Sequence, residues 1–318
     1  MKLNISKRKL VLSMSLLIVA CFVCYFISIE SPILLQVLLN GVLMGGLFGL
    51  MAMGLALVFG IMKIINVCHG EFIVLGAYIT FTLWKYFSIS PFISLLPSFI
   101  ILFIIGLPIG KFLMNRALKF GVDPPLLVAF GISIIMQGVM RIIWTATPQG
   151  VQVSSDIIPL PGGAVLPVLR LVAFIAAIAG LSALHLFLTR TMTGKALRAV
   201  SMDRATASLM GIDPEHVNML AYGLGLALAG FTGSLIATIF SFDPTSGGMF
   251  VGRSLCVIVL GGVGHIFGTF FGGVVLGLSE SIASFYLGDA VREGVAYVFF
   301  LLVLLFKPTG LFAKYRAF

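Results

Sequence analysis

The residues able to do chemistry are few, and most of them stand inside apolar runs. "NVCHGEF", residues 66 to 72, brings Asn66, His69, Gly70 and Glu71 together. His69 and Glu71 spell the H-x-E of zinc deaminases, in which the histidine holds the metal and the glutamate moves protons. That chemistry needs a P-C-x-x-C ligand pair as well, and none follows. Cys21 and Cys24 form a C-x-x-C without a second pair or a nearby histidine, so neither zinc nor redox chemistry is expected there. Cys68 and Cys256 read as buried structural thiols. His185 and His265 are isolated and are assigned packing or interfacial roles rather than metal binding. "GGVGHIFG", 261 to 268, has glycine spacing but no suitable acidic residue after it, and no G-x-x-x-x-G-K-[ST] occurs in the chain. With no nucleophile and no convincing metal set, an intramembrane enzyme is disfavoured.

The setting explains why so little chemistry is present. Of 318 residues, 60% are hydrophobic and 10% charged, with a mean hydropathy of +1.16. Soluble domains carry charge on about a quarter of their residues. The chain therefore reads as a single transmembrane domain over 1–318, with no polar stretch long enough for a separate soluble unit. Because lipid leaves no partner for unpaired backbone groups, the spans must be helices. Apolar runs near 10–29, 34–60, 66–86, 92–114, 126–144, 166–188, 219–241, 251–264, 268–287 and 292–306 predict an all-α bundle of about 8–10 transmembrane or re-entrant helices. The run at 251–264 is short enough to be re-entrant. "MKLNISKRKL" before the first run has the order of a secretory signal, but the run is about 20 residues long and lacks a small-residue cleavage site, so it reads as an uncleaved span.

The net charge of +9 does not suggest nucleic acid, because the basic residues fall in short clusters between apolar runs. Lys2, Lys7, Arg8 and Lys9 precede the first span, Lys111, Arg116 and Lys119 follow the fourth, Arg190, Lys195, Arg198 and Arg204 follow the sixth, and Lys307, Lys314 and Arg316 close the chain. An even number of crossings separates each cluster from the next. By the positive-inside rule all four, and both termini, are expected in the cytoplasm. The opposite loops, of which 145–165 is the longest, are poor in charge and rich in Pro, Gly and Ser.

One long polar segment interrupts this pattern: "TGKALRAVSMDRATASLMGID", 193 to 213. Thr193 suits an N-cap, Gly211 a left-handed C-terminal position, and Asp213 a second cap with Pro214 and Glu215 behind it. The expectation is one helix of about 17 residues, roughly 25 Å long, inside a cytoplasmic loop spanning 189–218. Ala196, Val200, Ala207 and Met210 lie near helical spacing, interrupted by Asp203. Small residues such as Ala199, Ala205 and Ala207 would admit close approach by another protein. A basic helix lying on the membrane surface is the competing reading.

Here the sequence resembles a family. "GKALRAVSMDRATASLMGID" is similar to the cytoplasmic loop of branched-chain amino acid (Liv-type) ABC importer permeases, with Gly194, Arg198, Ala199, Asp203, Arg204, Ala207, Gly211 and Ile212 at matching places. "LNGVLMGGLFGLMAMGLALVFGIMKIINVCHGEFIVLGAY", containing N-x-x-H-G-E, resembles the family's early region, in its H-type rather than M-type form. "VIVLGGVGHIFGTFFGGVVLGLSES" and "FKPTGLF" resemble its carboxyl-terminal region. The resemblance implies a coupling helix seated on an ATPase, with Gly194, Arg198, Ala199, Asp203, Arg204, Ala207 and Gly211 as the coupling residues. It also implies a second permease subunit, two ABC ATPase subunits that carry the ATP and Mg, an external substrate-binding protein, and a bacterial inner-membrane location. No cofactor is expected in this chain. Related permeases carry urea or amides, so substrate identity stays open.

The remaining polar and small residues receive physical roles. Gly41, Gly45 and Gly49 repeat every four residues, as do Gly264, Gly268 and Gly272, and both stripes predict close helix packing. Asn66, His69, Gly70 and Glu71 mark either a break lining the translocation path or a cytoplasmic turn. Glu280, alone in an apolar span, must face a neighbour or water and is expected to pair helices. An ion-driven transporter or channel using Glu71 and Glu280 is the rival that would dispense with ATPases.

Overall fold

The computed structural model describes residues 31–153, 156–160, 163–262, 264–307 and 310–312. The expected first span at 10–29, its basic cluster, Cys21, Cys24, Lys314 and Arg316 lie outside the described residues. Helix α1 (Ser31–Met62) is followed by α2 (His69–Phe87), α3 (Leu95–Leu118), α4 (Pro124–Trp144) and α5 (Val168–Arg190). Two short helices, α6 (Met192–Met202) and α7 (Arg204–Leu209), precede α8 (Pro214–Ile239), α9 (Gly247–Gly261), α10 (Ile266–Leu287) and α11 (Arg292–Phe306). Among the described residues six helices, α1, α3, α4, α5, α8 and α10, are long and apolar enough to cross a membrane.

Burial, not apolar character, distinguishes the central helices from those at the periphery. In α1, 89% of the most apolar stretch is buried within the bundle, against 17% in α4. The 32 residues of α1 extend about 48 Å at 1.5 Å per residue, more than the roughly 30 Å hydrocarbon layer. It packs on α10 almost backbone to backbone. A Cβ at Gly45 would stand 2.5 Å from the Cα of Val274, and one at Gly41 2.9 Å from that of Leu278. Gly273 and Gly277 answer from α10, where added Cβ atoms would strike the α1 backbone at Gly49 and Gly41. Without a hydrophobic drive between helices in lipid, such close approach supplies the dispersion contacts that hold them.

The second glycine stripe is divided. Gly268 and Gly272 face α9, where they meet Gly261, while Gly264 stands in the turn before α10 at φ +78. Gly264 is therefore a turn residue rather than a helix-packing one, since only glycine adopts that backbone cheaply. In α3, Pro108 removes a backbone donor and the ladder widens to a π-helical stretch over Ile109–Met114 before the last turn at Asn115–Leu118.

Two ends of the bundle can be told apart by their contacts. At one, Lys119 Nζ after α3 pairs with Glu215 Oε1 of α8 at 3.0 Å, and α6 folds back on the end of α5. The other end carries a short hairpin, Ile157–Pro159 paired antiparallel with Val165–Pro167, at the end of the long loop expected at 145–165. β-Branched residues on both sides of a Pro-Gly-Gly sequence favour it. The Val165 amide donates to Gln36 Oε1 at 2.6 Å, which anchors the hairpin to the start of α1.

Candidate functional site

The break at 63–68 has two faces: Ile64, Asn66 and Cys68 are buried, whereas Lys63 and Ile65 are exposed. Lys63 turns the chain at φ +57, and α2 then begins at His69. Asn66, His69 and Glu71 are all buried. Asn66 Oδ1 accepts from Cys68 Sγ at 2.9 Å and from the Tyr222 hydroxyl of α8 at 3.3 Å. His69 Nε2 lies 3.1 Å from the Met51 carbonyl of α1. Gln137 of α4 donates to Glu71 Oε1 at 3.0 Å. Three helices, α1, α4 and α8, thus converge on six residues of chain. Gly70 permits it: a Cβ there would collide with the Gly247 carbonyl at the first turn of α9. Glu71 in turn packs against Gly247, so its carboxylate sits where the partial positive charge of that helix start favours an anion. Asn66 Nδ2, His69 Nδ1 and Glu71 Oε2 are buried without hydrogen-bond partners among the described residues. Polar atoms left unpaired in an interior are costly.

The polar segment departs from the expected single helix. Thr191, not Thr193, is the N-cap: its Oγ1 accepts from the Gly194 amide at 2.9 Å. The helix then stops at Met202, because Asp203 is extended (φ −155, ψ 109) and caps a second helix instead. Asp203 Oδ1 accepts from the amides of Ala205 and Thr206 at 2.9 and 3.2 Å, and Oδ2 from the Thr206 hydroxyl at 2.6 Å. Those bonds, led by the Thr206 hydroxyl, hold the Asp203 carboxyl below its ordinary range. A short side chain that satisfies free amides competes with helix continuation, which is why the break falls here. Gly211 is left-handed at φ +83, with its amide donating to Ser208 O at 3.0 Å and that of Ile212 to Ala207 O at 3.1 Å. Asp213 caps α8 by accepting from the Glu215 amide at 2.9 Å.

Burial divides the seven coupling candidates. Gly194 packs on Phe187 and Leu188 of α5, where any Cβ would collide, and Ala207 is only 4% exposed. Both face the bundle, so they position the segment and offer no docking surface. Arg198 and Ala199 are half-buried, and Arg198 lines a crevice with His185, Thr189 and His265. Asp203, Arg204 and Gly211 are exposed. The outward surface consists of Arg204 together with residues that periodicity did not single out, chiefly Leu209 and Met202, along with Met210; Leu209 is 87% and Met210 79% exposed.

The family model described as "Branched-chain amino acid transport system / permease component" matches residues 37–306. The chain belongs to this family of permeases. It is 29% identical over 299 residues to the high-affinity branched-chain amino acid transport system permease protein BraD of Pseudomonas aeruginosa, covering 88% of this chain and 96% of that one. It is 28% identical over 303 residues to the corresponding LivH of Escherichia coli K12, with the same shares covered. To LivM of the same strain it is 26% identical over 294 residues, covering 84% of this chain and 68% of that one. The H-type resemblance is thus the fuller of the two, and the permease is a multi-pass membrane protein.

Other polar groups of this permease lie apart from the break and the polar segment. Glu280 lies between two guanidinium groups: Arg253 Nε donates to its Oε1 at 3.0 Å and Arg292 Nε to its Oε2 at 2.9 Å. Arg253 Nη2 continues to Glu293 at 3.1 Å. The expected neighbour of Glu280 is thus an ionic cluster joining α9, α10 and α11. Arg253 was legible in principle, because a lone arginine in an apolar run needs a carboxylate within the membrane. Asn115 joins α3 to α8 by donating to the Glu215 carbonyl at 2.7 Å and accepting from Asn218 Nδ2 at 3.0 Å. Nothing in its sequence surroundings marks that role.

Proposed function

We propose that this permease is the H-type subunit of an ABC importer for branched-chain amino acids in a bacterial inner membrane. It acts beside a second, related permease and two ATPase subunits that hold the ATP and Mg, and it receives substrate from an external binding protein. The carrying observation is the outward face of α6–α7. Leu209, Met210 and Met202 form an exposed apolar group beside Arg204 on a segment otherwise fixed to the bundle by Gly194, Leu197, Val200 and Ala207. Apolar anchors with an adjacent arginine make a binding patch, and rigid attachment to α5 and α8 lets force on that patch reach the spans. Lys111, Arg116, Lys119, Arg190 and Lys195, on the same end, favour a cytoplasmic position for it.

In this reading the ATPases draw together on binding ATP and carry α6–α7 with them, and the spans exchange an outward for an inward opening. The buried break around Asn66, His69, Gly70 and Glu71 borders the route, because its unpaired polar atoms suit a passing solute. Substrate is assigned from the named relatives. The ion-driven alternative loses support from Glu280, whose carboxylate is already engaged by two arginines. Proteoliposomes holding both permeases and both ATPases test the assignment: L-leucine should accumulate only when ATP and binding protein are supplied. Accumulation that follows a sodium or proton gradient and ignores ATP would refute it.

A further inference from the structure

At the hairpin end a pocket of about 260 Å³ opens among α1, α5, α10 and α11. Its polar wall is formed by Asn40, Arg170, Ser281, Asp289 and Arg292, and its apolar wall by Met44 and Phe240. The charges around it balance in number but not in pairing. Arg253 and Arg292 are both engaged by Glu280, and Arg253 also by Glu293, so two cations and two anions neutralise each other. That leaves Arg170 and Asp289. Arg170 Nη1 donates to Asn40 Oδ1 at 2.8 Å and, among the described residues, makes no ion pair. Asp289 accepts from the Ser284 hydroxyl and likewise has no cationic partner among the described residues.

We infer that this pocket is a binding site for the zwitterionic end of an amino acid, with Arg170 taking the carboxylate and Asp289 the ammonium. The inference rests on the importer reading and adds a substrate contact within the permease itself. A guanidinium with free N–H groups matches a carboxylate in two parallel bonds, and a carboxylate is the natural acceptor for an ammonium group. Met44 and Phe240 give the aliphatic side chain a small apolar wall beside a mostly polar lining that suits the charged end. The site stands at the mouth opposite the α6–α7 segment, where an importer accepts cargo.

The assembled complex in lipid nanodiscs, without binding protein, is titrated with tritiated L-leucine, and with isocaproate and isoamylamine as competitors. These lack the ammonium and the carboxylate respectively. Arg170→Gln should weaken leucine and isocaproate by about tenfold or more, the usual effect of a lost charge-assisted bond, and leave isoamylamine unchanged. Asp289→Asn should weaken leucine and isoamylamine and leave isocaproate unchanged. Arg170→Lys should retain part of the affinity. Equal loss of all three ligands in both variants, or unchanged leucine binding in either, would overturn the site. The two readings fail differently: wild-type complex that takes up leucine but binds none in nanodiscs removes the pocket alone, whereas no ATP-driven leucine uptake removes the function on which it rests.

Discussion

Glu280→Gln tests whether the ionic cluster holds the far helices together. Glu280 is fully buried, and it contacts Arg253 and Arg292 at 3.0 and 2.9 Å. Glutamine keeps the shape and removes the charge, so two guanidinium groups lose their shared partner. Breaking a buried pair from one side costs about 3–5 kcal/mol, because the remaining charge is stranded. Two features place this case near the lower bound. Arg253 retains Glu293, and the Arg292 side chain, 29% exposed, can turn toward water. The expected loss is therefore about 3 kcal/mol, on the order of 10² in the folded-to-unfolded ratio. Equilibrium unfolding in mixed micelles measures it, with Glu215→Gln as the control. That control breaks the Lys119–Glu215 pair, whose side chains are 62% and 51% exposed, and should cost no more than about 1 kcal/mol. Arg253→Gln combined with Glu280→Gln should cost less than the two single losses added. Equal, small losses for Glu280→Gln and Glu215→Gln would show that the cluster is not desolvated, and would refute the argument.

Three further outcomes are expected. Gly70→Ala should abolish folded yield, since its Cβ meets the Gly247 carbonyl, whereas Gly138→Ala, with nothing within 4 Å, should be neutral or gain up to about 1 kcal/mol in helix propensity; expression with size-exclusion profiles separates the two. Asp203→Ala should lower the amide protection factors of Ala205 and Thr206, and acid should lower them in the wild type once the intrinsic exchange rate at each pH is divided out. The folded carboxyl titrates below its ordinary range, so the cap is fully present above that range and is lost as pH falls through the lowered value. Val67→Cys, at a half-buried position in the break, should be labelled from either side according to the transport state; labelling from the α6–α7 end alone, indifferent to that state, would remove the break from the route.

The spans were legible because lipid imposes a single backbone solution, so apolar runs at 34–60 and 268–287 already approximate α1 and α10. What stayed hidden depends on three-dimensional pairing. The stripe of Gly41, Gly45 and Gly49 predicts close packing but not its partner, since Gly273 and Gly277 lie more than two hundred positions away. Gly264 continues the four-residue spacing and yet turns the chain, because periodicity cannot say where a helix begins. Asp203 was visible as an interruption. Reading it as a cap required giving its carboxylate priority over the helix formers on both sides, a local choice that the amides of Ala205 and Thr206 settle. Ala207 and Gly194 share the segment with Arg204 and Leu209, but short helices on a bundle have one inner face, and only packing on α5 and α8 reveals which.

The most direct test of the account is capture of the ATPase by the complete permease assembly when the outward face alone is changed. Leu209→Glu with Met210→Glu should abolish co-purification of the ATPase while the permease stays folded in membranes. Met192→Glu, exposed one helix earlier in the same segment, should reduce it less. ATPase capture at the wild-type level by the Leu209→Glu, Met210→Glu variant would contradict the assignment of α6–α7 as the place where ATP hydrolysis is coupled to the spans.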